Sequence, residues 1–221
     1  LLVDAATRVV LDMDSTCLCL QGPPGTGKTY TASHMIKALL DAGKTIGISS
    51  NSHKAILNLM KGVCEAFPSL HGAIKVGGDE DDPVLDEYDQ IIWSTAFDAR
   101  ENIRGTKLIG GTAWFFAHPE VAGSLDYLFI DEAGQVSLAN LVAMSGATKN
   151  FVLLGDQMQL GQPIEGSHPG ESGQSILEYY LQGHQTVPAD RGLFLDTSWR
   201  MHPDVCSFIS DAVYESRLQP E

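Results

Sequence analysis

Eight consecutive residues are suited by type and spacing to hold a phosphate: Gly22, Pro23, Pro24, Gly25, Thr26, Gly27, Lys28 and Thr29. They fit the pattern G-x-x-x-x-G-K-[ST]. Glycines let the backbone wrap tightly, so that successive N–H groups converge on phosphate oxygens. A following helix would add the positive end of its dipole. In such a loop Lys28 reaches the β- and γ-phosphates, and the Thr29 hydroxyl ligates Mg²⁺. A second pair with chemical potential is Asp131-Glu132. At a strand end beside a phosphate loop, the aspartate would help hold Mg²⁺ and the glutamate would deprotonate the attacking water.

These side chains need elements to position them. Before the loop, Cys17-Leu18-Cys19-Leu20 is a short apolar run that predicts a buried parallel strand. After it, Ala32, Met35, Ile36, Leu39 and Leu40 recur at helical spacing, and Gly43 is a natural stop. Asp126 to Ile130 is an apolar strand that delivers Asp131-Glu132-Ala133-Gly134-Gln135 at its carboxyl end. Phe151 to Leu154 is another, delivering Gly155-Asp156-Gln157-Met158-Gln159-Leu160.

Further strands are expected at 45–48, 74–76, 91–93, 107–109 and 193–195. Helices are expected over 1–12, over 173–182, and in the segment carrying Ile56, Leu59, Met60 and Val63. Asn51 or Ser52 would cap that last helix. The polar cluster from Ser49 to Lys54 sits at a strand's carboxyl end, where open α/β sheets bind ligands; capping alone would explain it equally well. Trp114, Phe115 and Phe116 read as core before base-stacking platforms. Pro203 fits the first turn of a final helix with an apolar face of Val205, Phe208, Ile209, Ala212 and Val213.

The 221 residues suit one α/β domain, or one domain and part of another, and a 43% hydrophobic content supports a core. No apolar run is long enough to span a bilayer, so no membrane partner is expected. The chain begins at Leu1 rather than Met, as expected of a piece of a longer polypeptide. Cys17, Cys19, Cys64 and Cys206 show no C-x-x-C spacing, which points to a reducing, cytoplasmic setting. Net charge is −14, and residues 79–90 hold seven acids and no base; without them the chain is still at −7. That run is expected to be a solvated loop. The composition has no basic footprint for nucleic acid, so any such contact must come from a local groove.

The order GPPGTGKT, DEAGQ, GDQMQL, SWRMHP resembles superfamily 1 helicases. Within them it is most similar to the branch containing the nonsense-mediated decay RNA helicase and its DNA helicase relatives. Residues 150–221 also resemble bacterial helicase modules fused to RecB-like nucleases. The resemblance implies a RecA-like P-loop fold, a mainly parallel sheet with helices on both faces. It implies ATP and Mg²⁺ as cofactors, with the triphosphate on Gly22 to Thr29. Metal ligands would be Thr29 and Asp131, and the catalytic set Lys28, Glu132, Gln159 as γ-phosphate sensor, and Arg200. Ser50, Asn51 and Lys54 fall in the family's first motif that contacts nucleic acid, and Thr112 falls near another.

The domains would be 1–195, a first RecA-like ATP-binding unit, and 196–221, the loosely anchored start of a second. The expected activity is that of an ATP-dependent helicase or translocase on single strands, DNA before RNA, with a RecB-like nuclease as a possible fused partner. A nucleotide-switched clamp that holds strands without unwinding is the alternative. The sequence departs from the family in having no Gln within residues 1–16 to read adenine, and in Gly161-Gln162 preceding Pro163.

Overall fold

The computed structural model of the chain describes residues 2–159, 161 and 169–221. In order these form α1 (Leu2–Leu11), β1 (Cys17–Gln21), α2 (Lys28–Asp41), β2 (Ile46–Ser49), α3 (His53–Ala66), β3 (Ala73–Val76) and α4 (Pro83–Glu87). Next come β4 (Ile91–Ser94), α5 (Ala96–Asn102), β5 (Leu108–Gly111), α6 (Ala113–Phe116), β6 (Tyr127–Ile130), α7 (Leu138–Met144) and β7 (Phe151–Gly155). The chain continues through α8 (Ile176–Leu181), β8 (Gly192–Phe194), β9 (Thr197–Ser198), α9 (Pro203–Val213) and β10 (Gln219–Pro220). The family difference at Gln162-Pro163, and Leu160 of the third motif, lie outside the described residues.

Strands β1 to β8 form one parallel sheet in the order β4-β3-β5-β2-β6-β7-β1-β8. Crossovers between parallel strands are right-handed, so their direction decides which face each helix covers. From β1 to β4 the chain moves one way across the sheet, and α2, α3 and α4 pack on one face with α1. From β4 to β8 it moves back, and α5 to α8 pack on the other. Strand side chains alternate to match. Leu18, Leu20, Tyr127, Phe129, Val152 and Leu154 enter the first core; Cys19, Leu128, Ile130 and Leu153 enter the second. Each fully buried Leu, Ile or Phe in these layers contributes about 1.5–3 kcal/mol. The expected RecA-like α/β fold is therefore present.

Local signals account for most element ends. Gly43 takes a left-handed φ of 78° just beyond α2. Ser52, rather than Asn51, caps α3, its hydroxyl accepting from the Ala55 N–H at 3.4 Å. Three expectations need correction. The acidic run is not all loop: Asp82 caps the short helix α4, accepting from the Val84 N–H at 3.0 Å, and Val84, Leu85 and Tyr88 pack on the first core. Trp114 is not core: Phe115 and Phe116 are buried, but Trp114 is 90% exposed. On α9, Val205 and Phe208 face solvent, and the buried positions are Cys206 and Ser210.

Residues 197–221 lie against the main sheet. Ser198 Oγ donates to the Pro24 carbonyl at 3.2 Å, and the Trp199 N–H to that of Gly25 at 3.0 Å. β9 pairs with β10 in parallel, and Cys206, Tyr214 and Leu218 are buried in the second core.

Candidate nucleotide site

Six adjacent strands, β8-β1-β7-β6-β2-β5, bring the sequence motifs to one carboxyl edge of the sheet. β1 runs on to α2 on one face, while its neighbour β7 continues to α8 on the other. This reversal opens the crevice in which α/β sheets bind ligands. Register pairs Gln21 with Gly155 and Ile130 with Leu153. The phosphate loop, Asp131-Glu132 and the Asp156–Gln159 turn therefore emerge side by side.

Within the loop, the Gly22 N–H donates to the Gly155 carbonyl at 3.0 Å, tying the loop's start to β7. Thr26 Oγ1 donates to the Pro23 carbonyl at 2.8 Å and tightens the turn. Lys28 Nζ donates to the Gly22 carbonyl at 2.5 Å, so the ammonium lies across the loop. Gly27 caps α2 at φ 83°, and the helix's first N–H groups are left facing the loop. Gly25 has φ 79°, and a Cβ there would come within 2.4 Å of Arg200 Cβ. Only glycine allows both the left-handed turn and this approach of the 198–200 backbone.

Asp131 ends β6, its N–H bonded to the Ser49 carbonyl at 2.8 Å. Its carboxylate is 8% exposed and accepts the Glu132 N–H at 2.9 Å. Burial, then the Glu132 charge, push its carboxyl up to about 6, against the opposing pull of the Glu132 N–H and Lys28. A buried carboxylate with one hydrogen-bond donor among the described residues, close enough to Lys28 to feel its charge, is the chemistry expected of a cation ligand. The Thr29 hydroxyl, at the start of α2, suits the same ion. Among the described residues no cluster of three or more His, Cys, Asp or Glu could hold a metal alone.

Glu132 stands in the left-handed region, at φ 52° and ψ 43°. Such a conformation in a non-glycine residue costs on the order of 1–2 kcal/mol and swings the chain sharply out of β6. Gly155 makes room for that turn: a Cβ there would lie 3.2 Å from the Ala133 nitrogen. Gln159 Nε2 makes a long contact, 3.5 Å, to Asp156 Oδ2. Arg200 is exposed, its backbone resting on Gly25.

The residues matched to nucleic-acid contact lie on the next two strand ends. Ser49 pairs with Gly111, so Ser50 and Thr112 leave β2 and β5 side by side. Ser50 is buried; Asn51 and Lys54 are exposed at the start of α3. Asn51 Nδ2 donates to the Gln135 carbonyl at 2.5 Å, joining this edge to the Asp131-Glu132 turn. Thr112 caps α6.

Sequence reasoning missed three features here. Gln21 is fully buried: its Nε2 donates to Gln157 Oε1 and the Gln185 carbonyl, at 2.9 and 3.0 Å, while its Oε1 accepts the Val187 N–H at 2.6 Å. A cavity of about 690 Å³ opens beside Gly25–Gly27, walled by Leu2, Tyr30, Leu195, Thr197 and Trp199. Its apolar, aromatic wall next to a phosphate loop suits a nucleobase. Tyr30, directly after the loop's Thr29, was the available signal. The third feature is a hydrogen bond from Tyr214 to Asp156, for which no local pattern exists.

Fold and site together define a P-loop nucleotide-binding protein of the RecA-like class. The chain belongs to the AAA domain family, whose pattern it matches over residues 6–164. It is 27% identical over 214 residues to the DNA replication ATP-dependent helicase/nuclease dna2 of Schizosaccharomyces pombe, covering 89% of this chain and 14% of the relative. To the helicase/nuclease JHS1 of Arabidopsis thaliana it is 30% identical, over 89% of this chain and 15% of that one. The chain thus spans only a small part of the curated relatives it matches. Among solved structures, arterivirus nonstructural protein 10, a helicase in complex with DNA, superposes with a TM-score of 0.58 at 16% identity, over 99% of this chain and 44% of that chain. The PRRSV helicase superposes at 0.57 and 17%, over 98% and 37%. At those identities the likeness is one of fold.

Proposed function

We propose that residues 1–195 are the ATP-binding first RecA-like unit of an ATP-dependent helicase or translocase, and that 196–221 open the second. The carrying observation is the convergence of Lys28, Asp131, Glu132 and the Gln159 turn on adjacent strand ends, with the Arg200 backbone against Gly25. In this reading the loop N–H groups and Lys28 bind the triphosphate of ATP, and the base enters the cavity beside Tyr30 and Trp199. Thr29 and Asp131 hold Mg²⁺, which when bound neutralises phosphate charge. Glu132 accepts a proton from the water that attacks the γ-phosphorus. Gln159 senses the γ-phosphate, and Arg200 offsets developing negative charge. Catalysis is then mainly positioning and charge stabilisation.

Ser50, Asn51, Lys54 and Thr112 would meet a single strand along the neighbouring strand ends. DNA is favoured over RNA because the relatives' names specify DNA replication. Those names pair helicase with nuclease, which supports a nuclease elsewhere in the same polypeptide; its RecB-like type and a place in the branch of the nonsense-mediated decay helicase rest on the motif resemblance alone. The cysteines among the described residues are free, as suits a cytoplasmic setting. The test is phosphate release by the full-length protein with and without single-stranded DNA. Turnover that rises with the strand supports the motor. Slow turnover with ATP-dependent retention on the strand would instead indicate a clamp, and absence of ATP binding would refute both.

A further inference from the structure

The third motif is restrained by contacts that phosphate chemistry does not call for. Asp156, immediately after β7, is 3% exposed. Its carboxylate accepts the Tyr214 hydroxyl at 2.6 Å and the Met158 N–H at 3.2 Å, with Gln159 Nε2 at 3.5 Å. Two of these donors belong to its own turn. Tyr214 is the third, and it comes from the end of α9, 58 residues away. Tyr214 is itself 3% exposed, with its ring 6.0 Å from that of Phe194.

The residues around Tyr214 strengthen the tie. Glu215 accepts from the Thr186 hydroxyl. Arg217 donates to Thr186 Oγ1 at 2.8 Å and to the Val187 carbonyl at 3.3 Å, and its guanidinium lies 4.7 Å from the Phe194 ring centre. The 184–187 loop is gripped in turn by the third motif, because Gln157 Nε2 donates to the carbonyls of His184 and Gln185 at 3.1 and 2.5 Å. Asp156 and Gln157 are therefore both linked to 214–217, one directly and one through the 184–187 loop. The same terminal segment carries Arg200 against Gly25.

We propose that Tyr214 is a positioning residue for the γ-phosphate sensor: its hydroxyl fixes Asp156, Asp156 fixes Gln159, and the sensor turn and the Arg200 segment move as one body. This rests on the role given to Gln159 above. A buried carboxylate that loses a donor must find another, and Gln159 Nε2 is the nearest mobile one. Removing the hydroxyl would therefore pull Gln159 onto Asp156 and away from the nucleotide.

The experiment is steady-state ATPase with saturating single-stranded DNA, using the full-length protein. Tyr214→Phe is expected to lower kcat about tenfold while KM and the affinity for a fluorescent ATP analogue stay within about twofold. Added to Gln159→Ala, it should cause almost no further loss, because both changes act on one interaction. Parental kcat in Tyr214→Phe, or losses that multiply in the double variant, would overturn the proposal. If Tyr214→Phe does not fold, Asp156→Asn breaks the same link by turning the oxygen shared by Tyr214 and Gln159 into an NH2 donor, and it should also lower kcat with ATP affinity retained. A parent protein with no ATPase would refute the functional reading itself, which is a separate outcome.

Discussion

Single residues in the site divide by the charge they must hold. Asp131 works against the fold in the absence of a cation: burial and Glu132 raise its carboxyl to about 6, from 3.8. With the folded pKa above the unfolded one, its favourable contribution is complete below about pH 4 and is lost as pH rises through about 6. Asp131→Asn should therefore stabilise the nucleotide-free protein at pH 8 by about 1–3 kcal/mol. It should also abolish the Mg²⁺ dependence of ATP binding. Denaturation at pH 8 and pH 4.5 tests the sign, since the gain should shrink towards zero at the lower pH; an equal gain at both would detach it from ionisation. Lys28→Ala removes a charge-assisted contact, and calorimetry should find ATP affinity down by about one to two decades. Glu132→Gln keeps a hydrogen-bonding group but not a proton acceptor. Turnover should fall by about 10²–10⁴ with ATP binding retained, and a variant that turns over at the parental rate would remove Glu132 from the role of base.

Among the elements, the phosphate loop serves two neighbours at once. It leads β1 into α2, and its Gly25 forms the floor on which residues 198–200 rest. Gly25→Ala would meet a left-handed φ and the Arg200 Cβ together. The expected cost is at least about 1–2 kcal/mol of stability, with a loss of ATP affinity because the loop must shift. Gly105→Ala is the control, since a Cβ there meets nothing within 4 Å. If chemical denaturation gives the two variants the same midpoint, the Gly25–Arg200 contact does not restrain the loop.

Across the whole molecule, charge sets how firmly a strand can be held. The chain carries 14 Lys and Arg against 28 Asp and Glu. Seven of the acids are grouped at 79–90, in and around α4. Phosphate contacts supply most non-specific affinity for nucleic acid, and this surface offers few cations for them. By itself the 221-residue chain should bind single strands no more tightly than the about 10⁻⁴–10⁻⁶ M of non-specific complexes. The binding should fade between 50 and 200 mM salt. Fluorescence anisotropy with a labelled oligonucleotide would show this, and nanomolar binding at 200 mM salt would contradict it.

The sequence by itself determined whatever depends on a few consecutive residues. The phosphate loop is legible because eight neighbours build it, and its strand and helix announce themselves in Cys17–Leu20 and in the spacing from Ala32 to Leu40. The strands that deliver Asp131 and Asp156 are short apolar runs, readable because burial on both faces demands apolar residues at every position. Tertiary structure alone decided the strand order, which inserts β5 between β3 and β2 and puts Thr112 beside Ser50. It also decided that Trp114 is exposed beside two buried phenylalanines, and that three of the five residues on the apolar face of α9 (Val205, Phe208 and Ala212) look outward. Both depend on what each helix packs against, not on its own period. The contacts of Arg200 with Gly25 and of Tyr214 with Asp156 join residues far apart in the chain. No local pattern encodes them, because they form only when the crossovers have brought β8 to the outer side of β1 and α9 back over the end of β7.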